Sequence, residues 1–322
     1  MHVLATQLAG LDEADQAVDL GHSPAEVVVL SFSDSDLSAL AAAWPLDADL
    51  LPGLRLASLK RLRHPLSIDL YVDNVVSRAK VVILRCLGGL DYWRYGVERL
   101  ADAARDHGVL FAALPGDGRP DPRLSSASTL PRESLALLDR YFGAGGPDNM
   151  RQALRHVASL LGRPMSWAPP AEVAPLTVTT APPQDDRPTA LVIFYRANLV
   201  AADMAPIDAL VTALAAQGLA PVAVAVSSLK DPAVEAPFTD LVERYRPAII
   251  LNTTAFSALR EDDTTILDQA GVPVLQVVLS GSDEASWRDS PRGLSPSDMA
   301  MNVVLPELDG RLLTRAISFK QE

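Results

Sequence analysis

The chain has 322 residues, 48% of them hydrophobic and 5% aromatic, so two domains of ordinary size fit and alanine, valine and leucine must fill their cores. A net charge of −12 argues against nucleic acid or an anionic membrane as a main partner. The one cysteine, Cys86, lies in an apolar run and reads as a small buried residue, in keeping with a reducing compartment. The opening MHVLATQLAGLDEAD turns acidic too early for a signal peptide, and no apolar run approaches the roughly 18 residues of a membrane span. A cytoplasmic protein is expected.

Apolar runs at 2–6, 27–32, 54–59, 81–87 and 109–114 lack clean alternation, which suits strands buried on both faces. Helical patterns at 34–43, 65–78 and 93–106 separate them, with Asp34 and Asp36 at N-cap positions of the first. Helices at 131–141 and 148–161 follow. Residues 164–188 hold seven prolines and read as a stiff, extended linker. A second alternating region begins beyond it. Its strands are expected at 190–195, 221–226, 248–252 and 274–279, its helices at 206–217, 235–245 and 264–269.

The rhythm predicts an α/β protein of two doubly wound parallel-sheet domains, flavodoxin-like or Rossmann-like. They are 1–163 with two trailing helices and 189–322, truncated at its C-terminal end, joined by 164–188. Such folds bind ligands at the carboxyl ends of strands or in a cleft between domains. Near the C-terminus, Ser295-Pro296-Ser297-Asp298 starts a helix through 299–305, residues 306–310 make a turn, and 311–319 alternates like a strand. A domain seldom closes on an unpaired edge strand. The chain is therefore expected to be the front part of a longer polypeptide.

Several chemistries lack their motifs. None of the four lysines (Lys60, Lys80, Lys230, Lys320) precedes Ser or Thr, so there is no P-loop. There is no G-x-G-x-x-G after a strand and no G-x-S-x-G elbow. The five histidines are scattered, so no transition-metal site is expected.

Four segments stand out. In LRCLGGLDYWRYGVERL (84–100), Tyr92, Trp93 and Tyr95 around Arg94 form either a flat apolar wall for a ligand or aromatics docked on the sheet. In FYRANLVAADMAPIDAL (194–210), Arg196 and Asn198 follow a buried strand, where such folds bind ligands. In LNTTAFS (251–257), Asn252, Thr253 and Thr254 either bind a ligand or satisfy a turn. In PELDGR, Glu307 is a candidate general base, and Arg311 either joins the site or pairs with one of the acids.

Together, GGLDYWRYG, ALPGD, STLP, GGPDNM, FYRANLVAADMAPIDAL, SLKDP, NTTAFS, PVLQVVLSGS and GLSPSDMAMNVVLPELDGR with ISFK resemble the large-subunit family of ATP-dependent cobaltochelatase, CobN, and more distantly that of magnesium chelatase. The resemblance spans nearly the whole chain, although the family's subunit is far longer. It implies that the subunit inserts Co²⁺ into hydrogenobyrinic acid a,c-diamide on the oxygen-dependent route to cobalamin. It also implies that AAA+ partners, CobS and CobT, hydrolyse the ATP, and that downstream CobN domains complete the enzyme. On this reading the segment binds no cofactor of its own, and Co²⁺ is a substrate. Tyr92, Trp93, Arg94, Arg196, Asn198, Asn252 and Arg311 become substrate-binding candidates and Glu307 the catalytic candidate. The alternatives are a stand-alone two-domain tetrapyrrole or small-molecule binder, and an assembly surface of the large subunit of a magnesium chelatase-type enzyme.

Overall fold

The computed structural model describes residues 17–183, 185–260 and 262–320. They form two compact units that divide between Glu172 and Val173. The run at 2–6 lies outside the described residues.

In the first unit, β1 (Val27–Ser31), β2 (Leu54–Ser58), β3 (Val81–Cys86) and β4 (Leu110–Pro115) form an all-parallel sheet in the order β2-β1-β3-β4. Val29 sits level with Leu56 on one side and Ile83 on the other. Both faces are covered, which explains strands apolar at every position. On one face Val28, Leu30, Leu84 and Phe111 share a core with Tyr71 of α2 (Pro65–Asn74) and Val97 of α3 (Arg94–His107). On the other, Val27, Val29 and Ile83 share a core with Leu40 of α1 (Asp34–Ala43). Leu138 of α5 (Arg132–Ala144) and Leu154 of α6 (Pro147–Leu160) complete it. A short helix, α4 (Pro122–Ala127), follows β4 and is capped by Asp121. The N-cap of α1 is Ser33, not Asp34 or Asp36; its hydroxyl accepts from the Asp36 N–H at 3.3 Å. The helix expected at 65–78 stops at Asn74, where Val75 leaves helical backbone angles, and resumes as a 3₁₀ turn at Val76–Arg78.

The turn after α1 carries a buried acid that the periodicity did not single out. Asp47 accepts from Arg151 Nε and Nη2 at 2.7 Å each and from Arg155 Nε at 2.8 Å, which ties the turn to α6. The Arg151 hydrogen bonds hold the Asp47 carboxyl well below the usual carboxylate range, against the opposing effect of burial. A carboxylate whose folded value is depressed contributes stability above its unfolded value and loses it as pH falls towards the folded one. In urea titrations, the stability advantage of wild type over Asp47→Asn is therefore expected to be full above about pH 5 and to shrink steadily below about pH 4. An advantage unchanged at about pH 3 contradicts this.

In the second unit, β5 (Leu176–Thr180), β6 (Thr189–Tyr195), β7 (Ala220–Val226), β8 (Ile249–Asn252), β9 (Val274–Ser280) and β10 (Leu312–Phe319) form one sheet. Its order is β10-β9-β8-β6-β7-β5, and every pairing is parallel except β5 with β7. The five parallel strands follow the flavodoxin-like order 2-1-3-4-5, with the topological switch between β6 and β8. α7 (Arg196–Val200) and α8 (Ala205–Ala216) follow β6, α9 (Pro232–Tyr245) follows β7, and α10 (Glu284–Asp289) follows β9. Pro296–Met299, a π-helical turn at Ala300–Val304 and Leu305–Glu307 run on as one helix, α11. The wide turn precedes Pro306, whose missing N–H cannot continue a regular ladder. The turn expected from Pro306 therefore begins only after Glu307.

Two other expectations change. The proline-rich stretch 164–188 is not a bare linker. Asn149 binds both the N–H and the C=O of Ala171, at 2.9 and 2.8 Å, and Gln152 accepts from Ala168 N. Residues 176–180 contain no proline, so their backbone groups are free to form a ladder with β7. The helix expected at 264–269 is a 3₁₀ turn, Ile266–Ala270, opened by a Thr265–Asp268 capping box.

Candidate functional site

In each unit, side chains gather at the carboxyl ends of the strands. In the first unit the loop after β3 turns through Gly88 and Gly89, at φ 75° and 73°, backbone that favours glycine. A Cβ on Gly89 would also stand 2.8 Å from Asp121 Oδ2. Asp121 accepts from Leu90 N at 3.0 Å and takes Arg123 in a two-point grip at 3.0 and 2.9 Å. Arg123 also reaches Asp91 Oδ2 at 2.7 Å, and Arg94 pairs with the same Asp91 and with Glu98. The Arg123 hydrogen bonds hold the carboxyls of both Asp121 and Asp91 below their ordinary range. This lattice of ions fixes the loop after β3 to the loop after β4.

The aromatics of this loop have separate roles. Trp93 is buried, 8% exposed, and its Nε1 donates to Leu62 O at 2.9 Å. A Cβ on Gly96 would lie 2.3 Å from the Trp93 ring, so glycine there makes room for the indole. Tyr95 donates its hydroxyl to Asp69, which also receives Arg99 Nε at 2.7 Å. Tyr95 is 42% exposed, and Tyr92 presents its ring further still, 56% exposed, with its edge on Phe32 at a centroid distance of 5.2 Å. Of the expected aromatic wall, Tyr92 and in part Tyr95 stay exposed. Trp93 is withdrawn by burial, and Arg94 is committed to two carboxylates.

Arg85 was missed, although a lone arginine in the apolar run VVILRC was a readable signal. It is buried at the end of β3, level with Ser31 of β1. Its Nε meets Asp36 Oδ2 at 3.3 Å, and Nη1 meets the Pro115 carbonyl and, at 3.5 Å, Asp139 Oδ1. The guanidinium also lies over the Phe142 ring at 5.2 Å. Burial pushes the Asp139 carboxyl up, with Arg85 opposing it. Burial also pushes the Cys86 thiol up to about 11, which leaves it protonated and unreactive.

In the second unit the switch between β6 and β8 holds a closed polar network. Asn252 is fully buried; its Nδ2 donates to Thr254 O at 3.0 Å and to Gln276 Oε1 at 2.9 Å. Thr254 Oγ1 donates back to Asn252 Oδ1, and Gln276 Nε2 to Thr254 O, both at 3.0 Å. Arg311 Nη1 joins Thr254 O at 3.3 Å and Gln276 Oε1 at 3.2 Å, while Nη2 pairs with Asp309 Oδ2 at 2.5 Å. Asp309 also receives Ser257 Oγ and Ala258 N, each at 2.6 Å. Burial pulls the Arg311 guanidinium below its ordinary value, with Asp309 opposing. Asn252 and Arg311 are therefore buried, and apart from Arg311 Nε their polar groups are engaged within the network. Their groups are used in holding the ends of β8, β9 and β10 together.

The remaining candidates lie nearer the surface. Arg196 is half-buried and donates from Nη1 to Val173 O at 2.8 Å. Asn198, on α7, is half-buried. Glu307 is exposed on the last turn of α11, and Arg311 pairs with Asp309 rather than with it. The start of α11 is pinned to the end of β9 by Asp298, which receives Gly281 N and Ser280 Oγ at 2.9 Å and Ser282 and Ser295 Oγ at 3.0 Å. Burial alone would raise the Asp298 carboxyl; these hydrogen bonds overcome that and hold it below its ordinary value. Among the described residues no three His, Cys, Asp or Glu side chains converge as metal ligands, and no helix is long and apolar enough to cross a membrane.

Two units, the first built on a wholly parallel sheet and the second on a largely parallel one, define an α/β scaffold whose strand ends are where such folds bind ligands. Residues 139–322 match the model of the CobN/Magnesium Chelatase family, and the chain belongs to that family. It is 41% identical over 334 aligned residues to the aerobic cobaltochelatase subunit CobN of Pseudomonas aeruginosa, covering 99% of this chain and 27% of that protein. It is 24% identical over 279 residues to a magnesium-chelatase subunit of Rhodobacter capsulatus, covering 76% of this chain and 23% of that one. The structure superimposes on the catalytic subunit of cobaltochelatase from Mycobacterium tuberculosis with a TM-score of 0.74 at 26% identity, over 92% of this chain and 25% of that chain. The chain thus spans about a quarter of the length of these relatives.

Proposed function

We propose that this chain serves in a cobaltochelatase, contributing to the grip on a tetrapyrrole into which Co²⁺ is inserted. The observation that carries the reading is the 41% identity to a cobaltochelatase subunit across 99% of the chain. The substrate is hydrogenobyrinic acid a,c-diamide, on the oxygen-dependent route to cobalamin in the cytoplasm. The ATP is consumed by AAA+ partners of the CobS and CobT kind, in keeping with a sequence that has no P-loop. Polypeptide corresponding to the rest of the longer relatives completes the enclosure of the ring.

Insertion requires the ring to be held, two pyrrolic protons to be removed and the metal to shed water. On this reading Tyr92, Arg196 and Asn198 face the substrate. Exposed Glu307 is the proton acceptor, aimed by the turn that Asp309 and Arg311 hold. Trp93, Arg94, Asn252 and Arg311 act as scaffold.

Titration of the purified protein with hydrogenobyrinic acid a,c-diamide, followed by the absorption of the ring, tests the reading. Saturable one-to-one binding is expected, with no ATP turnover above a denatured control. Absence of binding at ring concentrations well above those of the protein contradicts it.

A further inference from the structure

The GGLDYWRYG loop is almost fully explained by the fold, and the exception is informative. Gly89 admits Asp121, Asp91 takes two arginines, Trp93 fills the core, Tyr95 binds Asp69, and Gly96 makes room for the indole. Tyr92 has the most exposed aromatic ring of the run, 56% against 42% for Tyr95, whose hydroxyl is held by Asp69; Leu87 in the same loop is 42% exposed. An aromatic ring left exposed on a flexible loop would be unremarkable, but this loop is clamped on both sides of Tyr92. Asp121 binds Leu90 N, and the Asp91–Arg123–Asp121 lattice ties the loop to the next one. Phe32, at the end of β1, supports the Tyr92 ring edge-on from below, and Trp93 stacks edge-on against the same Phe32 at 6.4 Å. A Cβ on Gly88 would stand 3.1 Å from Tyr92 Cβ and 3.3 Å from its Cγ, so glycine there leaves the ring its position. The ring lies where β1 and β3 end side by side, the switch point of the first sheet.

We propose that Tyr92, seated on Phe32 in the clamped loop after β3, is the specificity-determining platform against which one flat face of the macrocycle stacks. The inference rests on the reading above and sharpens it: one exposed ring binds, while its aromatic neighbours hold it in place. A fixed aromatic face suits a large conjugated ligand, because neither partner loses much freedom on contact. The contact depends on the face of the ring and not on the phenol hydroxyl.

The test is ring binding by the intact protein and by Tyr92→Ala, Tyr92→Leu and Tyr92→Phe, with hydrogenobyrinic acid a,c-diamide as probe and thermal unfolding measured alongside. Stacking of this kind predicts a loss of affinity of roughly tenfold or more in the Ala variant, a smaller loss in Leu and none in Phe, with unfolding temperatures unchanged. The Leu variant serves if Ala perturbs the loop, since Leu restores apolar contact with Phe32. Wild-type affinity in both Ala and Leu overturns the platform while leaving the chelatase reading intact. An equal loss in Phe assigns the effect to the hydroxyl and overturns stacking. If wild type itself does not bind the probe, the chelatase reading fails and the platform with it.

Discussion

Replacing Trp93 with alanine is expected to destabilise the first unit by about 3–5 kcal/mol, the usual cost of removing a buried large aromatic. The indole joins a core with Phe32, Leu62, Leu90 and Val97, and its N–H satisfies the Leu62 carbonyl. Its loss leaves a cavity beside Gly96 and a buried carbonyl without its donor. Trp93→Phe keeps apolar volume but loses the hydrogen bond, and a cost between those of wild type and alanine is expected. Urea unfolding of the three proteins measures this. A Trp93→Ala protein within about 1 kcal/mol of wild type would mean that the ring is not part of the core. The contrast with Tyr92, its neighbour in the chain but exposed to solvent, is a direct check on which aromatic is structural.

Asp309→Ala is expected to cost the second unit a comparable amount, about 3–5 kcal/mol, because it strands a buried cation. The pair is almost wholly out of water, with side chains 1% and 0% exposed, and Arg311 Nε already lacks a partner among the described residues. Removing both charges together, as Asp309→Leu with Arg311→Met, is expected to be far milder, since apolar replacements of similar volume remove the desolvation penalty along with the attraction. The comparison is read from denaturant unfolding of the single and double variants. Equal destabilisation in both would show that the two side chains act through packing and not as an ion pair.

Much of the fold was legible because parallel strands buried on both faces leave long apolar runs. VVVLS, VVILRC and TALVIFY all fall where those runs indicated. Elements governed by local exceptions were harder. Strand β5 hides among prolines, and its pairing depends on β7, which lies far along the chain. Helix α11 continues past Pro306 only because a π-helical turn precedes it. The site was legible as a set of loops but not as a set of roles. Sequence alone cannot tell which of Tyr92, Trp93 and Tyr95 faces inward, because consecutive loop residues follow no period. Nor does it show that Asn252 and Arg311, far apart in the chain, satisfy one another through Gln276 and Thr254. Arg85 was the readable omission, since a charged side chain inside a fully buried strand requires partners.

On the proposed function, this chain is a working part of a cobalt-inserting enzyme. The most direct measurement is cobalt insertion into hydrogenobyrinic acid a,c-diamide, followed by the absorption change of the ring, in a mixture of the AAA+ partners, ATP, Co²⁺ and the intact large-subunit polypeptide with or without these residues. Insertion that requires the residues, and that falls when Tyr92 is replaced by alanine, is the result expected. Insertion at an undiminished rate from a polypeptide lacking them would contradict the account.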